Sequence, residues 1–331
     1  MSDQPLRVHI LHTPDPGPLD YLRELIDDEV ALTTGAELPD PPDYHILIAG
    51  QPQREHIAEA PQLQTLIIPW AGLPRDTREL MLDFPETAVH NLHHNAAPVA
   101  ELAVGLLLAA AKFLIPMDRA LRAHDWTPRY QPNPSLLLAE KTALVLGYGE
   151  IGQRVAEICR GMRMKVVATR RNVEKTPSDC PDEIHPPEAL LDLLPRAHAV
   201  IICLPLTNET KGLIDAEALA RMPAGAVLVN IGRGRIVRQE ALYHALRTGG
   251  LRAAGLDVWY NYPQDKDARD NTPPADAPFH TLDNIVMSPH RGGALSESET
   301  ECIRMEALAQ LINAAARGES MPNPVDVERG Y

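Results

Sequence analysis

A short apolar run leads into three spaced glycines in Thr142-Ala-Leu-Val-Leu-Gly147-Tyr-Gly149-Glu-Ile-Gly152. A helical pattern follows, with Ile151, Val155, Ile158 and Met162 at intervals of three or four residues. The glycines allow a tight turn and let the backbone approach a pyrophosphate, whose negative charge the helix N-terminus stabilises. Because a strand and a helix flank the glycines, the pattern predicts a dinucleotide-binding turn.

Short apolar runs alternate with helical patterns on both sides of this turn. Such runs are typical of parallel sheets that helices cover on both faces. Ten predicted strands in 331 residues indicate an α/β protein with two doubly wound parallel-sheet domains. The predicted strands are Arg7–His12, His45–Gly50, Gln64–Pro69, Thr87–Leu92, Thr142–Leu146, Lys165–Thr169, His198–Leu204, Ala226–Ile231, Ala253–Val258 and Ile285–Ser288.

Two long helices are predicted outside these strands. Asn95 is a candidate N-cap for the first, because an asparagine side chain can accept a hydrogen bond from the first helical turn. Ser296 and Glu299 have the spacing of a capping box at the start of the last helix. The apolar stretch Leu102–Ala111 is too short to span a bilayer.

Composition limits the class of protein. Apolar residues make up 44% of the chain, which is enough for a sizeable core and excludes a disordered or fibrous protein. The net charge of −14 argues against partners held by a basic surface, so neither nucleic acid nor a membrane is expected. Cys159, Cys180, Cys203 and Cys302 lack metal-type spacing, and no secretory signal is visible. We therefore expect a cytoplasmic protein without a bound metal.

The strand after the glycine-rich turn predicts which dinucleotide binds. Lys165–Thr169 ends in Arg170-Arg171, and Arg170 lies 18 residues past Gly152. An NAD enzyme normally has Asp or Glu there to accept hydrogen bonds from the ribose 2′-hydroxyl. An arginine cannot accept them but can pair with a 2′-phosphate. NADP is therefore predicted in preference to NAD; a solvated strand end is the alternative interpretation.

Three later segments place polar residues after predicted strands. They contain Arg233 in Asn230-Ile-Gly-Arg-Gly, Asp257 in Gly255-Leu-Asp-Val-Trp, and His290 in Met287-Ser-Pro-His. The carboxyl ends of parallel strands meet at one edge of a sheet, where ligands bind. An arginine there can hold a carboxylate in a bidentate contact, and a histidine can transfer a proton to or from a hydroxyl group.

In this order the motifs resemble the D-isomer-specific 2-hydroxyacid dehydrogenase family, which includes glyoxylate and hydroxypyruvate reductases. The resemblance covers nearly the whole chain and is densest from Asn95 to Gly293, including Ala100-Glu-Leu-Ala and Leu204-Pro-Leu-Thr-Asn-Glu-Thr210. It implies two Rossmann-like domains with a crevice between them. The substrate domain would be discontinuous, from residues 1–96 and 295–331, and the dinucleotide-binding domain would be 97–294. The resemblance also implies a homodimer built around the dinucleotide-binding domain.

The resemblance further implies a role for each matching residue. Arg233 would bind the substrate carboxylate, and His290 would be the acid in reduction and the base in oxidation. Asp257 would lie near the nicotinamide carboxamide, and Ala71 and Gly72, which follow Trp70, would hold the carboxylate through backbone amides. The implied cofactor contacts are Gly147, Gly149, Glu150, Ile151, Gly152, Arg170, Arg171, Leu204, Pro205, Thr210, Ile231, Gly232, Asp257 and Gly292.

One departure from the family pattern affects the histidine. Most members carry a glutamate five residues after the aspartate, where it pairs with the histidine and raises the histidine pKa, but this chain has Tyr262. A phenol can hydrogen-bond an imidazole, but it stabilises imidazolium less than a carboxylate does. We therefore expect a lowered pKa for His290. Formate dehydrogenases also lack this glutamate, which keeps hydride transfer without proton transfer open as an alternative.

Two other segments have open interpretations. His93-His94 could reach an acidic substrate or cap the hinge. Residues 263–283, rich in Pro and Asp, could be a surface loop or an active-site flap, with Tyr260 and His280 in a lid. The overall expectation is an NAD(P)-dependent oxidoreductase that reduces a small 2-oxo acid, such as glyoxylate or hydroxypyruvate, to the D-2-hydroxy acid. A dinucleotide-sensing, corepressor-like binding protein is the alternative from a different class.

Overall fold

The computed structural model describes residues 5–175 and 181–330, which divide into two compact units. One lies within Met1–Asn95 and Ala294–Tyr331, and the other within Ala96–Gly293. The strands are β1 (Leu6–Ile10), β2 (Val30–Thr34), β3 (Ile46–Ile48), β4 (Thr65–Ile68), β5 (Ala88–Asn91), β6 (Thr142–Leu146), β7 (Lys165–Thr169), β8 (Glu183–His185), β9 (Ala199–Ile202), β10 (Val227–Asn230), β11 (Ala253–Leu256) and β12 (Ile285–Met287). The helices are α1 (Pro16–Leu25), α2 (Glu55–Ala58), α3 (Arg75–Met81), α4 (Ala96–Lys112), α5 (Leu114–Arg122), α6 (Glu150–Gly161), α7 (Leu190–Leu193), α8 (Ala216–Arg221), α9 (Gln239–Thr248) and α10 (Glu297–Ala316).

The first unit is a parallel sheet in the order β2-β1-β3-β4-β5. Successive side chains of a strand point to opposite faces, so Ile46 and Ile48 pack in one cluster while Leu47 packs in another. The cluster around Ile46 includes residues of α1 and α10, and the cluster around Leu47 includes residues of α2 and α3. Both faces of the sheet are therefore buried, which explains the continuous apolar runs.

The second unit is a parallel sheet in the order β12-β11-β10-β9-β6-β7-β8. Leu144 and Leu146 of β6 face a cluster that includes residues of α7, α8 and α9, whereas Ala143 and Val145 face one that includes α4 and α6. The close packing of α4 depends on Gly255 in β11, where a Cβ atom would lie 2.8 Å from Leu106 Cβ. The predicted fold class, two doubly wound parallel sheets, is confirmed.

The structure differs from the sequence prediction at two strands. β2 and β8 were not predicted, and both lie at sheet edges. Residues of β2 alternate between half-buried and exposed, and all three residues of β8 are half-buried. Both strands are therefore less buried than the central strands, and β8 contains a single apolar residue, Ile184.

Of the two predicted helix caps, one is confirmed and one is wrong. Ser296 Oγ accepts a hydrogen bond from the Glu299 backbone N–H at the start of α10. Asn95 precedes α4, but its buried Oδ1 accepts no hydrogen bond within the described part of the chain. Pro98 occupies the first turn of α4 and has no N–H to donate, which removes one of the usual partners of a cap.

Residues 263–283 are mainly irregular, but the second half of the segment is fixed to the core. Phe279 is buried and lies parallel to the ring of Tyr260, with 6.4 Å between the ring centroids. Tyr260 donates a hydrogen bond to Val237 O, 3.0 Å away. Tyr260 therefore packs against the core cluster, which argues against a place for Tyr260 in a lid.

No single described helix is both long and apolar enough to cross a membrane. The consecutive helices α4 and α5 satisfy the length and composition test only as a pair, with a bend of 68° between them. Within residues 5–175 and 181–330, Cys203 and Cys302 are free thiols, and Cys159 is buried. Cys180 lies outside the described residues.

Candidate functional site

The glycine-rich turn joins β6 to α6 in the second unit. Gly147 has φ +95°, in the left-handed region that favours glycine. A Cβ atom on Gly152 would lie 2.0 Å from Gly147 O, so only glycine lets the first turn of α6 approach the strand end. By contrast, a Cβ atom on Gly149 would meet nothing within 4 Å. The turn is tight on its inner side and open at Gly149, a shape that fits a dinucleotide pyrophosphate.

The first turn of α6 also carries an acidic side chain. Glu150 forms an ion pair with Arg154, with 2.9 Å between Oε2 and Nη1. This pair offsets the carboxylate charge close to the N–H groups that an anion would approach. Ile151 is half-buried and packs against the cluster beneath the turn.

Arg170 continues the path of β7 beside this turn. Its backbone N–H donates to His185 O, and the N–H of Tyr148 in the glycine-rich turn donates to Thr169 O. These two bonds, of 2.9 and 3.0 Å, fix the end of β7 next to the turn. Arg171, which is exposed, follows directly. The two arginines therefore follow the strand end that lies beside the glycine-rich turn, and their contact with a cofactor ribose stays a prediction.

The loop after β9 lies on the other side of Gly147. Leu204 Cδ2 would be 3.0 Å from a Cβ atom on Gly147. The loop is braced by its own side chains, since Thr210 Oγ1 accepts from Thr207 N–H and donates to Pro205 O. Leu204, Pro205 and Thr210, expected to contact the cofactor, are thus held in a fixed loop beside the glycine-rich turn.

The segment after β10 places Arg233 at the same edge of the sheet. The Asn230 side chain holds the backbone at residues 232 and 233. Asn230 Oδ1 accepts a hydrogen bond from Gly232 N–H, and Asn230 Nδ2 donates one to Arg233 O, each at 3.0 Å. Cβ atoms on Gly232 and Gly234 would lie 2.5 Å from Leu204 O and 2.2 Å from Trp259 O. The backbone is therefore tightly packed, and the exposed Arg233 side chain donates from Nη1 to Gly232 O at 2.7 Å.

Asp257 holds the loop that carries His290. Its buried carboxylate, 2% exposed, accepts hydrogen bonds from Ser288 Oγ (2.5 Å), Arg291 N–H (2.9 Å) and Gly292 N–H (2.9 Å). His290 lies between these anchors with φ +58°, a strained conformation that persists only when its surroundings enforce it. Three hydrogen bonds to one carboxylate supply that enforcement. The expected position of Asp257 near a nicotinamide stays a prediction.

Tyr262 contacts His290 directly. Its Oη lies 3.0 Å from His290 Nδ1 and accepts a hydrogen bond from the Trp259 backbone N–H at 3.1 Å. The phenol thus stands where the family's glutamate would pair with the histidine. Trp259 is itself fixed, because its buried indole Nε1–H donates to Ser288 O at 2.8 Å.

Burial of the imidazole is the main cause that lowers the pKa of His290. The positive charge of Arg233 lowers this pKa further, and the negative charge of Asp257 acts in the opposite direction. At neutral pH His290 is therefore mainly uncharged. The direction agrees with the expectation from the missing glutamate, although burial and Arg233 are the causes that the structure shows.

The first unit contains the other predicted site residues. Asn91 Nδ2 donates to Ala71 O at 2.6 Å, and Leu92 N–H donates to Trp70 O at 3.4 Å. These bonds bring the turn at residues 70–72 next to the chain that leads into His94. Burial, assisted by the nearby charges of Arg304 and His93, lowers the pKa of His94 to about 4, so it is a neutral histidine at pH 7.

Sequence reasoning missed three residues that shape the second unit's site. All three lie inside the motifs that were quoted. The Ser288 hydroxyl donates to the Asp257 carboxylate, whereas the side chains of Trp259 and Asn230 bond backbone groups. For Asn230 and Ser288, a polar residue at or next to a strand end was the available signal. No group of three or more potential metal ligands occurs within residues 5–175 and 181–330.

The chain was compared with known proteins. Residues 104–292 match the family model described as D-isomer specific 2-hydroxyacid dehydrogenase, NAD binding domain. The match covers more than half of the chain, so this protein belongs to the D-isomer specific 2-hydroxyacid dehydrogenase family.

Similar proteins include D-3-phosphoglycerate dehydrogenase of Mycobacterium leprae (strain TN), 32% identical over 92% of this chain and 59% of the relative. Glyoxylate reductase of Korarchaeum cryptofilum (strain OPF8) is 34% identical over 69% of this chain and 66% of the relative. The chain thus spans less than two thirds of the length of these relatives. A D-isomer specific 2-hydroxyacid dehydrogenase from Xanthobacter autotrophicus Py2, solved with NADPH and MES, is 25% identical with a TM-score of 0.76, covering 98% of this chain and 99% of that one.

Proposed function

We propose that the protein is an NAD(P)-dependent oxidoreductase that reduces a small 2-oxo acid of the glyoxylate or hydroxypyruvate type to the D-2-hydroxy acid. The observation that carries the proposal is the placement of Arg233 and His290 after β10 and β12 of the sheet that bears the glycine-rich turn. All these strands are parallel, so their carboxyl ends share one edge. A cation for a carboxylate, a proton donor and a dinucleotide turn therefore lie at that edge.

Each residue has a separate task in this proposal. Arg233 binds the substrate carboxylate through its planar fork of N–H donors, and Ala71 and Gly72 add backbone amides. His290 donates a proton to the carbonyl oxygen during reduction. The bound nicotinamide cofactor supplies the hydride. The name of the Korarchaeum relative, glyoxylate reductase, supports this substrate class.

The experiment that tests the proposal is an initial-rate screen of glyoxylate, hydroxypyruvate, pyruvate, longer 2-oxo acids and formate with NADPH or NADH, and with NADP or NAD for formate. Turnover of a 2-oxo acid supports the proposal. Formate oxidation without 2-oxo acid reduction would favour the alternative in which no proton is transferred, which Tyr262 in place of a carboxylate allows. Tight dinucleotide binding with no turnover across the panel would favour a dinucleotide-sensing binding protein.

Cofactor preference gives a testable prediction at Arg170. A charge-assisted hydrogen bond contributes about 1.5–3 kcal/mol, so Arg170→Ala should raise the KM for NADPH roughly 10- to 100-fold and leave the KM for NADH nearly unchanged. Arg163→Ala is the control, because this exposed arginine precedes β7 and pairs with Glu140 at the other end of the strand. An NADH preference in the native protein that persists in Arg170→Ala would contradict NADP as the preferred cofactor.

We also propose a homodimer formed through the second unit. Helix α5 buries none of its residues, and large apolar side chains around it are exposed, including Leu114, Leu121 and Trp126. An apolar patch of this kind marks an interaction surface. We expect sedimentation velocity to show a dimer that Leu121→Glu converts to monomer, whereas Leu82→Glu, at a similarly exposed leucine of the first unit, leaves it intact. A native monomer would contradict the proposal.

A cytoplasmic location is part of the same proposal. The free thiols of Cys203 and Cys302 support it, because a reducing compartment keeps cysteines out of disulfides. Fractionation of cells that produce the tagged protein would test it, with recovery in an oxidising compartment as the contrary result.

A further inference from the structure

The hydrogen bonds around Tyr262 have a defined direction. The Trp259 backbone N–H can only donate, and it points at Tyr262 Oη from 3.1 Å. The phenol oxygen therefore accepts at that position. Its own hydrogen remains to be donated, and His290 Nδ1 at 3.0 Å is the acceptor the structure provides for it.

The Trp259 backbone N–H, which donates to Tyr262 Oη, has a fixed orientation. Trp259 is buried, its indole Nε1–H is bonded to Ser288 O, and its carbonyl lies against Gly234. Only two residues lie between Trp259 and Tyr262, so a short piece of backbone links the N–H and the phenol. The Trp259 N–H is therefore a fixed donor to Oη, whatever the protonation state of the histidine.

We propose that Tyr262 is a positioning residue that donates its phenolic hydrogen to His290 Nδ1 and thereby keeps the proton of the neutral imidazole on Nε2. A neutral imidazole has one protonated nitrogen and one bare nitrogen, and the bond at one nitrogen decides which state the other has. A glutamate at residue 262 would do the reverse, because a carboxylate accepts from Nδ1–H and leaves Nε2 bare. With tyrosine at residue 262, the neutral His290 imidazole therefore has the opposite tautomer from the one that the family's usual glutamate would favour.

The catalytic meaning of this inversion rests on the proposed function. In both the charged and the neutral state, His290 presents an Nε2–H that can hydrogen-bond a substrate carbonyl oxygen. Imidazolium would have to donate from Nδ1 to a phenol oxygen that already accepts from Trp259, so the neutral state is favoured. The charged groups that act on His290 are Arg233, which also favours the neutral state, and Asp257, which opposes it.

The tautomer can be measured directly in the full-length protein labelled with ¹⁵N, because protonated and bare ring nitrogens have different chemical shifts. Subtracting the spectrum of His290→Gln identifies the His290 signals among the 13 histidines. Above its pKa, native His290 should show a bare Nδ1 and a protonated Nε2. Tyr262→Glu should reverse this pattern, and Tyr262→Phe should give a mixture.

A protonated Nδ1 in the neutral native protein, or a tautomer unchanged in Tyr262→Phe, would overturn the proposal. Tyr260→Phe is the matched control, because it removes a phenol that bonds Val237 O and should leave the His290 tautomer unaltered. The measurement needs neither cofactor nor turnover. A failed substrate screen therefore counts against the proposed function alone, and a wrong tautomer in an active enzyme counts against this inference alone.

The pH dependence of kinetics provides a second readout. In the native protein, kcat for 2-oxo acid reduction should fall as pH rises through the lowered pKa of His290, while KM for the 2-oxo acid stays within about two-fold. In Tyr262→Glu, kcat should fall at higher pH, and KM should rise with the same transition because the bare Nε2 no longer donates to the carbonyl. Identical profiles in the two proteins would contradict the assigned hydrogen-bond direction.

Discussion

Arg233→Ala is expected to lower kcat/KM for 2-oxo acid reduction by roughly 10²- to 10³-fold. Removing one partner of a hydrogen-bonded charge pair costs about 2–5 kcal/mol, and each 1.4 kcal/mol corresponds to a factor of ten. Arg233→Lys should recover only part of the loss, because an ammonium keeps the charge but not the planar fork of donors. Initial rates against 2-oxo acid concentration at saturating NADPH measure both variants.

The control for Arg233 lies two residues along the chain. Arg235 is also exposed and follows the same strand, so Arg235→Ala should keep native kinetics. NADPH binding, followed by fluorescence titration, should be unchanged in Arg233→Ala. Equal losses in the two alanine variants would indicate a general electrostatic effect and contradict a specific carboxylate contact.

Arg233→Ala should also change the titration of His290. The positive charge of Arg233 lowers the pKa of the imidazole, so its removal should raise that pKa. The imidazolium form should then persist to higher pH than in the native protein. NMR titration of His290 in both proteins measures this shift without requiring turnover.

His290→Asn is expected to lower kcat for 2-oxo acid reduction by roughly 10²- to 10⁴-fold, the range for loss of a positioned general acid. Asparagine is the chosen replacement because it tolerates the left-handed backbone conformation at this position. The variant should therefore keep the loop geometry and NADPH affinity. Initial rates at saturating substrate, together with NADPH titration, test both expectations.

The matched control for this variant is His280→Asn, at an exposed histidine ten residues earlier in the same unit. It should retain native kcat. A loss of less than ten-fold in His290→Asn would contradict its role as the acid, and would favour a reaction in which only hydride is transferred.

The sequence predicted the central part of the fold because continuous apolar runs and glycine spacing are local signals. Leu144 and Ala143 both read as core residues, and each is buried on its own face of the sheet. The edge strands β2 and β8 were missed because each is partly exposed: β2 has a short apolar run followed by two threonines, and β8 has one apolar residue. Asn95 failed as a cap because Pro98 has no N–H to donate, a conflict that was visible in the sequence.

The positions of the candidate site residues after their strands were predicted from the sequence, but the hydrogen bonds around them were not. Arg233, Asp257 and His290 could be placed after parallel strands because strand ends share an edge. The three hydrogen bonds from the His290 loop to Asp257 could not be predicted, because they depend on the path of a loop 31 to 35 residues away in the chain. The hydrogen bond from the Trp259 N–H to Tyr262 could not be predicted either, since the residue types do not show where a backbone N–H points.

Because Asp257 accepts three hydrogen bonds from the His290 loop, the position of His290 and its protonation depend on different residues. Because Asp257 and not residue 262 carries the His290 loop, the place of the imidazole in space is set independently of the group beside Nδ1. A tyrosine, a carboxylate or an amide at residue 262 can therefore change the protonation of His290 while the loop that carries His290 keeps its conformation. In this unit, the position of His290 and its acidity can therefore change independently in evolution.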